Sequence, residues 1–237
     1  PSKVVAVFVV YEIISLSINI HPEEGKFSVD ATWIGVVETF VILADNVVVP
    51  SWWKAPLGKD LQRTIWVLVA IQVSNIPDAL LLLRLHQIGF STSGVVIGYA
   101  LYMFVAMLVA YPAGHLADRL HPKSIYLIGL IFFGASYILL GTTQSHTTAL
   151  IALAIYGLFP ALTDGVGKAW IGRLSTSENR GYAQGSFQAR MNFAVLAAGI
   201  WGGAIWGSGN YQIALIIAGV AALVGAFVIS QYRSDAA

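Results

Sequence analysis

Residues 111–127 read YPAGHLADRLHPKSIYL. Two His, an Asp, an Arg and a Lys fall inside this one stretch, and the sequence on either side of it is almost purely apolar. A compact charged stop between long hydrocarbon runs is what a chain needs when it leaves one membrane helix and enters the next. Composition points the same way. Of 237 residues, 57% are hydrophobic and 11% charged, and the mean hydropathy is +0.74. A soluble domain carries about 25% charged residues, so this chain has too few charges to cover a water-facing surface.

From residue 65 onward the apolar runs are long enough to cross about 30 Å of hydrocarbon as helices, which takes roughly 20 residues each. The spacing predicts helices over 65–85, 92–113, 123–140, 148–171, 181–207 and 211–231. Backbone groups in lipid must be paired within their own segment, so helices are the default, and the alternating ten-residue pattern of a membrane barrel is missing. The expected fold is therefore all-α, a polytopic membrane bundle with six core helices. Residues 1–63 stand apart as an N-terminal segment. Its two Val- and Ile-rich runs would raise the number of spans to eight, yet they carry Glu12, Glu38 and Asp45, acids that are expensive in lipid unless they face protein or water. Another reading is a peripheral, strand-like segment. Residues 64–233 form the bundle and 234–237 a tail.

Lys and Arg set the orientation. Alternate loops carry Lys54, Lys59 and Arg63, then Arg119 and Lys123, then Arg173 and Arg180, then Arg233, whereas the intervening loops lack them apart from Arg84 at one edge. The charged loops and the C-terminus are thus expected in the cytoplasm of a multi-pass cell-membrane protein. The net charge of +1 implies no polyanionic partner, and nucleic-acid binding is excluded with it. The absence of cysteine removes disulfides, thiolate metal sites and a cysteine nucleophile. The spans hold no hydrolytic Ser, His and Asp set, and no cofactor is implied. His115 and His121 flank Asp118 without a second ligand cluster, so no metal site is expected.

Within the opening stretch, Gly114, Leu116, Ala117, Asp118, Arg119 and Lys123 resemble the G-x-L-A-D-R-x-G-R-K motif of the major facilitator superfamily. His121 and Pro122 replace a Gly and a basic residue, as in the weaker copy of the motif between the family's eighth and ninth helices. The stretches NIPDALLLLRLHQIGFS and GLFPALTDGVGKAWIGRLSTSENRGYAQG look like the family's seventh helix and its tenth-to-eleventh hairpin. The resemblance covers roughly 64–232 and stops short of residues 1–63, for which it implies a third reading, the remnants of the family's fifth and sixth helices. It implies the C-terminal six-helix half of a secondary transporter working by alternating access. The partners would be the lipid bilayer, a small-molecule substrate, and an N-terminal half or a second copy of the chain. It also implies that Gly114, Asp118, Arg119, Lys123 and Arg173 form a cytoplasmic gate, Asp118 latching at a helix N-terminus whose dipole favours an anion. The competing reading is a non-transporting remnant, or a half-sized protein acting as a homodimer or scaffold.

Polar groups inside spans are functional candidates by default. Asp164 and Lys168 are four apart on one helix face. At about 1.5 Å per residue, Asp164 and Arg190 reach matching depths, which suggests a pair across the hairpin; the alternative pairs Asp164 with Lys168. Gln184, Gln188 and Asn192 recur every four residues, and Gln72, Asn75 and Asp78 every three, beside the helix-kinking Pro77. The candidate substrate and proton pathway is then Gln72, Asn75, Asp78, Asp164, Lys168, Gln188, Arg190 and Asn192, with Asp78 as the best proton carrier and Tyr99 and Tyr102 as aromatic walls. The plainer reading of these groups is hydrogen bonding between helices. Gly199, Gly202, Gly203 and Gly207 are expected to be packing positions, the last two in G-x-x-x-G spacing.

Overall fold

The computed structural model describes residues 57–231, apart from the side chain of Asp118. The further spans expected before residue 57 and the tail after residue 231 lie outside the described residues. Those described form seven helices: α1 (Lys59–Gln72), α2 (Asp78–Ile88), α3 (Thr92–Arg119), α4 (Pro122–Thr142), α5 (His146–Leu174), α6 (Arg180–Gly207) and α7 (Tyr211–Gln231). The boundary expected after residue 63 falls inside α1.

Two elements depart from those predicted. The first expected helix is two helices, because Pro77 has no N–H to donate and the chain turns through residues 73–77 before α2 begins at Asp78. Such a break in a membrane helix frees carbonyls that need new donors. Two are supplied from elsewhere in the bundle. The indole Nε1 of Trp201 donates to the carbonyl of Val73 at 2.8 Å, and the hydroxyl of Tyr137 donates to the carbonyl of Ile76 at 3.1 Å. The second departure concerns the opening stretch itself. α3 runs on through Pro112 to Arg119, so the charged motif is helical and only Leu120 and His121 connect it to α4. Its residues Leu116, Ala117 and Arg119 are good helix formers, and Pro122 restarts the chain at the first helical position, where a proline is pre-set.

α4 is the centre of the bundle, packed on α5 along one side and α7 along the other, with α3 against α5 and α6 against α1. Close approach explains the α4–α7 seam. A Cβ on Gly134 would meet the Gly219 carbonyl at 2.9 Å, and one on Gly219 would meet the Gly134 carbonyl at 2.9 Å. Ala214, Ala218, Ala222 and Ala226 extend that small-residue face along α7, the usual way membrane helices gain contact without a hydrophobic drive. On α6 the packing glycines are Gly199 against Pro77 and Gly202 against Ile76, both at the break; Gly203 and Gly207 face open space.

Four helices, α3, α4, α5 and α7, are long and apolar enough to span a membrane. α6 has the length, with 28 residues, but its Gln, Arg and Asn stripe lowers its apolar character. α3 differs from the other three in having only 11% of its apolar window buried.

Candidate functional site

A cavity of about 740 Å3 lies between the helix break, α3 and α5. Asn75 and Asp78 line one end of it, Tyr102, Met103 and Met107 from α3 and Tyr156, Phe159 and Asp164 from α5 line its length, and Gly114 and Ala117 lie along its far wall. A second cavity of about 170 Å3 adjoins it, lined by Gln72, Asp164, Lys168, Gln188 and Asn192. Asp164 lines both. Apart from Arg190, the candidate pathway residues therefore divide between two chambers with one carboxylate in common.

The two acids are held differently. Asp78 opens α2, where the helix dipole favours negative charge. Its Oδ2 accepts the hydroxyl of Tyr102 and its Oδ1 the hydroxyl of Tyr156 at 2.6 Å. Tyr99 packs edge-on to Tyr102, ring centres 5.1 Å apart, and Tyr102, Tyr156, Tyr137, Phe133 and Phe159 continue as one aromatic cluster. Asp164 lies ten residues before the end of α5, about 15 Å along the axis. It is exposed, with Lys168 one turn further along α5.

Arg190 is not Asp164's partner. α6 packs against α1 as well as α5, and the guanidinium of Arg190 takes the α1 side, 5.0 Å from the centre of the Trp66 ring. A ring face attracts a cation where water is scarce. Its Nη1 is buried with no hydrogen-bond partner, and Arg190 lines neither chamber. Gln188 donates to Asn192 at 3.2 Å within α6, while Gln184 reaches across to the carbonyl of Lys168 at 2.7 Å.

At the charged end, basic residues of the motif region hold helix C-termini, where the dipole favours a cation. Arg173 donates to the carbonyl of Ala117 at 2.6 Å and, more weakly, to that of Leu120 at 3.4 Å. It therefore closes the very turn of α3 that carries Asp118. Lys123 donates to the carbonyl of Ser230 at 3.0 Å, near the end of α7. Arg119 is exposed at the end of α3, and Gly114 has open space around its Cα.

By sequence, Arg84 was only the edge of a loop. It is fully buried and closes the opposite end of α4, donating from Nε to the carbonyl of Leu140 at 3.2 Å and from Nη2 to that of Thr143 at 2.7 Å, with the Tyr211 ring 4.8 Å away. The signal was available: a lone Arg within an apolar run, and elsewhere a helix end without a basic residue in its last turn.

The Major Facilitator Superfamily profile matches residues 39–235, most of the chain. The chain belongs to the major facilitator superfamily. The match starts 25 residues ahead of the resemblance drawn from the motifs, inside the segment set apart at the N-terminus. Among curated proteins, an uncharacterised MFS-type transporter of Methanocaldococcus jannaschii is 28% identical over 156 residues, which is 63% of this chain and 39% of that protein. An uncharacterised MFS-type transporter of Mycobacterium tuberculosis is 31% identical over 123 residues, 49% of this chain and 21% of that protein. The chain thus aligns with well under half the length of these relatives. No solved structure matches it. Family membership and the apolar helices make it a multi-pass membrane protein of a transporter family.

Proposed function

We propose that the bundle is the C-terminal half of a secondary transporter that moves a small molecule by alternating access. The observation that carries this reading is the large cavity, which borders on a broken helix. Discontinuous helices near the bilayer midplane are where secondary transporters place their binding sites, and here the break supplies Asn75 and Asp78 to the cavity wall. Asp78 and Asp164, the carboxylates on that wall, are where a coupling proton would be carried. The motif residues Gly114, Asp118, Arg119 and Lys123, with Arg173, form the gate at the charged, cytoplasmic end of the cell-membrane protein. The little-buried face of α3 is covered by the other half, in keeping with relatives more than twice the aligned length. A scaffold or homodimer is the second reading, and the same uncovered face of α3 supports it.

The absence of cysteine from these 237 residues makes the test direct, since an introduced thiol is the only one in this half. Ala169→Cys sits on the cavity wall in the last two turns of α5, and Tyr99→Cys sits two turns into α3 from the opposite end. Alternating access requires each position to react with a membrane-impermeant maleimide from one side of the membrane only, and conditions that raise one rate must lower the other. Simultaneous labelling of both from one side, unchanged by an imposed pH gradient, would rule the reading out.

A further inference from the structure

Resting on that transport reading, we propose that the large cavity selects an organic monocation with an aromatic or otherwise apolar body, its charge set against Asp164. The wall is one-sided in charge. Asp78 and Asp164 line it, and no Lys, Arg or His does so among the described residues; Lys168 borders only the smaller chamber. An anion entering here would lose its water against two carboxylates and find no cationic donor, which is a repulsive element against the wrong partner. A cation meets the opposite situation.

The two carboxylates divide the work. Both oxygens of Asp78 already accept tyrosine hydroxyls, so this acid is committed to joining the start of α2 to α3 and α5. Asp164 accepts no hydrogen bond from any described residue, is exposed to the cavity, and shares its chamber with rings and flexible side chains. Tyr102, Tyr156 and Phe159 border the same wall, each almost fully buried, and aromatic rings attract desolvated cations. Met103 and Met107 add a polarizable, adaptable surface that suits an apolar body of no single shape. A further sign that the wall is built to receive something is the Oδ1 of Asn75, a buried acceptor with no hydrogen-bond partner on the same cavity. Acceptors in excess of donors fit a donor-bearing or positively charged occupant. The volume of about 740 Å3 is in the range that holds drug-sized molecules.

The decisive probes are tetraphenylphosphonium and tetraphenylborate, near-identical in shape and opposite in charge. Equilibrium binding of each to the full chain in detergent micelles is measured with empty micelles as the blank. We expect saturable binding of the phosphonium and none of the borate. Asp164→Asn should weaken phosphonium binding at least tenfold and Asp164→Glu should restore most of it. Asp78→Asn should weaken it less, provided each variant elutes as the parent does. Saturable borate binding, no saturable phosphonium binding, or equal phosphonium affinity in Asp164→Asn and the parent each overturns the proposal. The thiol-labelling result at residues 99 and 169 separates this failure from failure of the transport reading. Alternation without cation binding leaves a transporter of another substrate class, whereas Asp164-dependent binding without alternation leaves a cation site in a protein that does not transport.

Discussion

Asp78 and Asp164 border one cavity, on helices that meet in the same bundle, and the structure treats them as opposites. Asp78 stands at the first position of a helix and holds two tyrosine hydroxyls. Asp164 stands in mid-helix, exposed to two chambers, with Lys168 one turn further on. The difference teaches that an acid inside a membrane span is not one kind of feature. One joins the start of α2 to α3 and α5 through two tyrosines, and the other accepts no hydrogen bond from any described residue.

The contrast is broken or sharpened most strongly by neutralising each acid in turn. Asp164→Asn is expected to abolish transport while leaving the unfolding free energy in detergent within about 0.5 kcal/mol, as for a substitution that removes no packed contact. Asp78→Ala should do the reverse in part. Stranding two buried hydroxyls should lower stability by about 1–3 kcal/mol, and Tyr156→Phe should then add little in the Asp78→Ala background, because the partner is already gone. Thermal unfolding of the four proteins in that cycle gives the coupling. Strict additivity would show that Asp78 and Tyr156 do not act as a pair, and an unfolding loss in Asp164→Asn would erase the division between the acids.

The same distinction explains what could be read from the residues alone. Helix periods and charged loops need only composition along the chain, so α4, α6 and α7 were legible to within two residues at either end. Asn75, Asp78 and Asp164 line one cavity, but its α3 wall is apolar apart from Tyr102, and polar residues alone give no sign of it. Partners were not legible either. Asp164 and Arg190 have matching depths, ten residues in from Leu174 and Arg180, yet depth carries no information about azimuth, and α6 turned Arg190 onto Trp66. Likewise the charge of the stretch 111–127 predicts a connector, but charge does not end a helix. Ala and Leu propagated α3 through it as far as Arg119, just ahead of Leu120, His121 and Pro122. Tyr137 and Trp201 were invisible for a related reason: what they do is set by two carbonyls that become free only once Pro77 has broken the helix.

Those two donors define the next comparison, of the broken helix with the unbroken ones. Tyr137→Phe and Trp201→Phe remove the hydrogen bonds to Ile76 and Val73 while keeping an aromatic ring in place. Hydrogen bonds between membrane helices average about 0.6 kcal/mol and reach about 1.7, so each variant should lose stability in that range. The loss should be local: amide exchange should speed up over residues 72–80 and stay unchanged in α7, an unbroken helix. Faster exchange spread evenly over both would mean that the two side chains hold the bundle as a whole and that the break needs no donors of its own.

The smallest effect expected is at Arg173, one of two arginines that close helix ends. Arg84 is sealed in the bundle, with two donors on the end of α4. Arg173, at the charged end, makes one short bond and one long one to the end of α3. An exposed cation at a helix C-terminus contributes about 0.3–1 kcal/mol, and salt screens it. Arg173→Ala should therefore lower the unfolding free energy by that amount in dilute buffer and by less at 1 M salt, where the Debye length is about 3 Å. Arg84→Ala should lower it by more, with little salt dependence, because the lost contacts are out of reach of mobile ions and leave the carbonyl of Leu140 unsatisfied. If salt acts equally on both variants, burial is not what separates the two ends of the bundle. If it acts on Arg173→Ala alone, the looser closure lies at the end with Asp118, as the proposed gate requires.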